Sequence, residues 1–140
     1  MSFVRDRNHD LKGLSTQDVV TKIVIPETSD TKVRYVDLIP NSAVSVPNYF
    51  ASHVWSSPFL DLVESLSQYI LLDEADEESK SVFVWIDIFA VKQHRSADQA
   101  NDLKNLHEAI KNSKISVLVC LDSNLKLLTR YHDFFTSALT

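Results

Sequence analysis

The sequence predicts an α/β fold built on a parallel sheet covered on both faces, and three observations carry the prediction. Apolar runs rich in β-branched and aromatic residues alternate with amphipathic segments in the order strand, helix, strand, helix, strand, helix. The strand candidates are near-continuous in apolar residues rather than alternating, as strands buried on both faces are. The chain has 140 residues, of which 44% are hydrophobic and 24% charged, enough for one domain with a real core.

Along the chain, residues 1–14 are polar and are expected to be loose. Ser15 followed three residues later by Asp18 has the form of a helix start. Val19, Val20 and Ile23 give that short helix one apolar face, and Pro26 is expected to stop it. "TKVRYVDLIP" suggests a brief extended piece, and Pro40 and Pro47 break the rest of residues 27–48 into loop. Residues 1–48 are therefore expected to form an N-terminal extension with a short helix, ahead of an α/β domain over 49–140.

Tyr49 to Val54 reads as a buried strand. Ser57 can cap the following helix, and Pro58 suits its first turn because its missing N–H has no intrahelical partner there. Phe59, Leu62, Val63, Leu66 and Ile70 recur at helical spacing, so one stripe faces a core. "DEADEES" is an acidic surface loop, and "SVFVWID" a dense second strand. "IFAVKQHRSAD" is a longer connection. Leu103, Leu106 and Ile110 mark a second helix over about 97–112. "KISVLVCLD" is a third strand, and Leu128 onward, with Thr129 as a cap, begins a third helix.

Composition excludes several function classes. The net charge is −5 and no basic stripe is present, which argues against a nucleic-acid groove or a polybasic membrane anchor. No apolar run reaches the roughly 18 residues of a membrane span, and the charged start "MSFVRDRNHD" is no secretory signal. The single cysteine, Cys120, forbids an intramolecular disulfide, so a reducing, cytoplasmic location is expected. The single glycine, Gly13, excludes the glycine-rich phosphate cradles of dinucleotide-binding and P-loop folds.

In doubly covered α/β sheets, ligands bind beyond the carboxyl ends of the strands. Ser52, His53 and Trp55 end the first strand, Asp87 the second and Asp122 the third. Ser52 and His53 make a poor nucleophile and base, because strand neighbours point to opposite faces and no glycine flanks the serine. Asp87 is open to three roles: general base, acceptor for a ribose hydroxyl, or acceptor for loop amides. Ser56 and Ser57 stand before a helix N-terminus, which favours anions, although capping explains the same residues. His9, His53, His94, His107 and His132 show no zinc-motif spacing, so no metal is expected. Cys120 reads as a small buried hydrophobe.

The stretches "YFASHVWSSPFLDLVESL", "VFVWIDIFAVKQH", "LHEAIKNSKISVLVCLD" and "LTRYHDFF" occur in the order and spacing of Toll/interleukin-1 receptor-like (TIR-like) domains. The resemblance spans residues 49 to about 136. It implies a flavodoxin-like three-layer sandwich with a mainly parallel sheet, acting in the cytoplasm as a signalling module that self-associates or pairs with another TIR-like domain. Some members of the family cleave NAD with a Glu on the third helix. Here "LTRYHDFFT" sets His132, Asp133 and Thr136 where that family has Trp, Cys and Glu, so the resemblance implies no cofactor and no cleavage. It also implies a sheet left incomplete at its C-terminal edge, since family members carry further strands and helices. The alternative is a domain that cleaves or senses NAD(P) or a related nucleotide. Ser52, His53, Trp55 and Asp87 would then line the pocket, with Trp55 stacking on a base and Asp133 replacing the missing Glu.

Overall fold

The structure is a computed structural model that describes residues 2–73, 81–95 and 116–119. Its centre is a three-stranded parallel sheet of order β2-β1-β3, formed by β1 (Tyr49–Ser52), β2 (Val84–Ile86) and β3 (Ser116–Val119). Tyr49, Phe50 and Ala51 pair with Val84, Trp85 and Ile86 on one side. Tyr49 to Ser52 pair with Ser116 to Val119 on the other. The fold class is mixed α/β, as the alternating sequence pattern predicts. The strands are shorter than expected: β1 stops at Ser52, and β2 covers only the middle of residues 81–87.

Both faces of β1 are closed to solvent. Neighbouring strand residues point to opposite faces, yet Phe50 and Ala51 are 1% and 2% exposed. Phe50 stacks on its register partner Trp85, with centroids 4.6 Å apart. Ala51 and Ile86 face a core that includes Phe59, Leu62 and Leu66 of α4 (Phe59–Asp73). This is the stripe that the helical spacing predicts. Tyr69 of the same helix meets Tyr49 edge to face at 6.0 Å.

Residues from both sides of position 48 fill that one core. The chain start is not loose. It forms α1 (Ser2–Leu11), which buries Phe3 and Leu11. Three apolar residues in ten are too few to announce a helix; tertiary packing, not periodicity, makes this one. Gly13, at φ +76°, closes α1 in the left-handed conformation that glycine adopts without strain. Ser15 then caps α2 (Thr16–Val19) with the expected box. The Asp18 N–H donates to Ser15 Oγ, and the Ser15 N–H returns a bond to Asp18 Oδ2, each at 3.1 Å. A hydrogen bond from Lys22, then those from Ser15, hold the Asp18 carboxyl down at about 2.

Pro26 does not stop this helix. A π-helical stretch (Val20–Val24) follows α2, and α3 (Ile25–Glu27) carries the proline near its start. The Ile25 N–H reaches back five residues to Val20 O. The wider register just before Pro26 relieves the clash that a proline ring makes with an α-helical carbonyl. Thr28 ends the run, buried, with its hydroxyl 2.7 Å from both Val24 O and His94 Nε2.

The segment expected to be extended around Tyr35 is instead a 3-10 turn (Tyr35–Leu38), because Asp37 accepts the Arg34 N–H and grips its guanidinium. Burial, then a hydrogen bond to Glu27, push the Tyr35 phenol up to about 12. The Tyr35 ring joins Phe3, Phe59 and Phe89 in a knot of edge-to-face and tilted contacts at 4.9–6.2 Å.

The helix expected over about 97–112, the third helix, Cys120, Asp122, His107, His132, Asp133 and Thr136 lie outside the described residues.

Phe59→Ala should cost about 3–5 kcal/mol in urea unfolding, and Ser15→Ala about 1 kcal/mol. Val46→Ala, at a 75% exposed position, should stay within about 0.5 kcal/mol. Equal losses at Phe59 and Val46 would contradict this core.

Candidate functional site

The carboxyl ends of β1 and β2 meet at one rim because the strands are parallel and in register. Ala51 pairs with Ile86, so Ser52 and His53 emerge beside Asp87. Ser52, His53 and Asp87 are all buried, at 3–4% exposure. The structure therefore gathers Ser52, His53, Trp55 and Asp87, the four candidates chosen from sequence.

Asp87 is the hub. β2 passes into α5 (Asp87–Ala90) without a loop, so Asp87 is both the end of a strand and the start of a helix turn. Its Oδ2 accepts the indole N–H of Trp55 at 2.8 Å, and its Oδ1 accepts the Ile88 N–H at 2.8 Å. Its carbonyl accepts the Val91 N–H at 2.9 Å and a Gln93 amide N–H at 3.2 Å. A buried carboxylate needs such donors, since leaving water without replacement bonds is costly. The Asp87 carboxylate thus accepts the amide of its neighbour Ile88 and, across 32 residues of sequence, the Trp55 indole.

His53 completes the rim differently. Its Nε2 lies 3.9 Å from Asp87 Oδ1, too far for a hydrogen bond, and has no hydrogen-bond partner among the described residues. Burial lowers the His53 pKa; the Asp87 charge and a backbone hydrogen bond at Ala51 offset this in part. Burial thus disfavours the charged ring beside Asp87, and Nε2 has no hydrogen-bond partner among the described residues.

The loop from Val54 to Pro58 is fastened to the N-terminal segment rather than left open. The Thr16 N–H donates to Ser57 O at 3.1 Å, and the Gln17 N–H to Trp55 O at 2.9 Å. The Phe59 N–H, first in α4, donates to Leu14 O at 2.9 Å, across an antiparallel bridge between Ser15 and Pro58. The first amide of α4 is therefore already satisfied by the backbone. Sequence reasoning missed Thr16, whose buried hydroxyl also lacks a partner among the described residues. Nothing local marks it, because its burial comes from the loop 40 residues later.

Two cavities of about 350 Å³ each lie elsewhere, along β2, with mainly apolar walls that Ser52, His53, Trp55 and Asp87 do not line. Among the described residues there is no group of three or more His, Cys, Asp or Glu placed to hold a metal ion. No described helix is long and apolar enough to cross a membrane.

Among the described residues, site and sheet define a mixed α/β protein in which side chains close the rim at the ends of β1 and β2. No protein-family model, curated protein or solved structure matches the chain.

The His53 environment sets a pH dependence. Its folded-state pKa is depressed below the ordinary 6.5. Above 6.5 the ring is neutral folded or unfolded and adds no slope. As pH falls through 6.5 the unfolded chain takes a proton that the folded one refuses, so stability is lost with acid. The urea midpoint should fall between about pH 7 and pH 5, and His53→Gln should flatten that part of the curve. An unchanged slope in the variant would show that His53 is not the group responsible.

Proposed function

We propose that the chain is a TIR-like domain of flavodoxin-like, three-layer build that works in the cytoplasm as a signalling and protein-interaction module, without cleaving NAD. The observation that carries the reading is the closed strand-end rim on a parallel sheet of order β2-β1-β3. In that order the connection after β1 runs to one side and the connection after β2 returns across it, the arrangement that doubly wound α/β sheets share. At the rim, where such a fold would hold a nucleotide, the Asp87 carboxylate is already engaged by Trp55 and Ile88. Thr136, where the resemblance calls for a catalytic Glu, brings no carboxylate to stabilise an oxocarbenium-like centre. What remains for the domain is association, with itself or with another TIR-like domain.

A second reading, binding of NAD or a related nucleotide without turnover, is favoured by one observation: the Nε2 of buried His53, which has no hydrogen-bond partner among the described residues. A ligand hydroxyl or amide could donate to it.

The two readings separate in solution. The module reading expects no free nicotinamide on incubation with NAD, no thermal stabilisation by NAD, and a mass above the monomer in light scattering at high concentration. Stabilisation by NAD that His53→Ala abolishes would establish the sensing reading instead. Nicotinamide release that Asp133→Ala abolishes would overturn both.

A further inference from the structure

β2 ends the described sheet, whose order is β2-β1-β3. Phe83 turns its backbone toward β1. Its N–H donates to Asn48 Oδ1 at 2.9 Å, and its carbonyl accepts the Asn48 and Tyr49 amides at 2.8 and 3.3 Å. Backbone groups alternate sides along a strand, so Val82 and Val84 turn theirs outward. Among the described residues, no backbone bond meets that outward side. The chain past the described residues continues from β3, which borders β1 on the far side from β2. Exposed sheet edges are commonly guarded by charge or proline. Residues 81–86, Ser-Val-Phe-Val-Trp-Ile, contain neither.

A cavity of about 350 Å³ follows this open side. Val82 to Ile86 all line it. Neighbouring strand residues point to opposite faces, so the cavity runs along the side of the strand and not over one face. Its other wall includes Val36, Ile39, Ala43 and Val44. The chain then stands out from the molecule. Val44 is extended (φ −123°, ψ 134°), residues 44–47 belong to no helix or strand, and Val46 is 75% exposed. Leu38, Val44 and Val46 are three of the four exposed large hydrophobics among the described residues. An open strand edge therefore lies beside an extended, exposed apolar stretch.

Charge selects the occupant. A contact about a two-fold axis sets a patch against itself, and like charges there repel. The chain carries a net charge of −5, yet neither residues 38–47 nor residues 81–86 include a charged side chain. This face can meet its own copy without repulsion. We propose that two copies of the chain join by reciprocal strand addition, residues 44–47 of each lying along the open side of β2 in the other. Val82 and Val84 supply the backbone bonds, and Val46 the side chain that seats in the second copy's cavity. Edge and stretch are neighbours in one copy, so a single two-fold axis makes both contacts. Val82 and Val84 are partly exposed, and no element has to move. The proposal gives the association reading above its surface and rests on that reading for its purpose, not for its geometry.

Light scattering on the full chain tests it. The wild type should have the mass of two chains at high concentration and of one on dilution. Val46→Glu, at an exposed position, should leave the fold of the dilute protein unchanged by circular dichroism. It should raise the dissociation constant at least about 100-fold, because it sets like charges across the axis. Val82→Pro, which removes one outward amide, should weaken the dimer likewise. Ser65→Glu, the same added charge on the exposed side of α4, should leave it intact. In the wild type the Val82 and Val84 amides should exchange at least about tenfold more slowly at high concentration than at low. A dimer that survives both Val46→Glu and Val82→Pro, or amides whose exchange ignores concentration, would overturn this surface and leave the association reading standing. A single-chain mass at every concentration would overturn self-association altogether, leaving only pairing with another domain. Should Val82→Pro fail to fold, Val46→Glu and the exchange measurement decide.

Discussion

The hydrogen bond from the Trp55 indole to the Asp87 carboxylate is the constraint on which the rim depends. A central strand buried on both faces must end somewhere, and its last residues carry polar groups into a space that water does not reach. Here the end of β1 is closed by a side chain three residues beyond it, which reaches across to the first residue after β2. The bond ties the two strand ends at a distance local structure could not span. It also gives a buried charge the donor it requires. Parallel pairing places the two ends side by side, and the indole then fixes their separation.

The rest of the molecule supports that closure. The Val54–Pro58 loop, which carries Trp55, is backed by the start of α2 through Thr16 and Gln17. The capping box at Ser15 holds the start of α2 in place, and the Phe3, Tyr35, Phe59 and Phe89 rings lock α1, the 3-10 turn, α4 and α5 into one core. The N-terminal residues thus act on the rim from behind. A change in the Ser15 cap would be felt at Trp55 through these backbone bonds.

The parts of this fold that were legible in sequence are those whose signal is local. The α4 stripe, the Ser15–Asp18 cap and the parallel apolar strands each declare themselves within about a dozen residues. Ser52, His53 and Asp87 were placed at a common edge because parallel strands put like ends together, and the structure places them there. What stayed hidden is non-local. Helix α1 rests on Phe3 and Leu11 meeting a core assembled from later residues. The passage through Pro26 depends on a π register that no residue type announces. Only the nucleotide alternative gave Trp55 a role, its face stacking on a base, and the contact its N–H makes does not bear on that role. The polar tip of Trp55 turns to Asp87, a contact 32 residues away that periodicity cannot see. Thr16 was invisible for the same reason.

The measurement that bears most directly on the closed rim is a double-mutant cycle between Trp55→Phe, which removes only the indole donor, and Asp87→Asn, which keeps the shape and removes the charge. If the bond closes the rim, unfolding free energies should show a coupling of about 1 kcal/mol or more between the two positions. Additive losses, to within about 0.3–0.5 kcal/mol, would mean that the two groups act independently and that this bond does not close the rim.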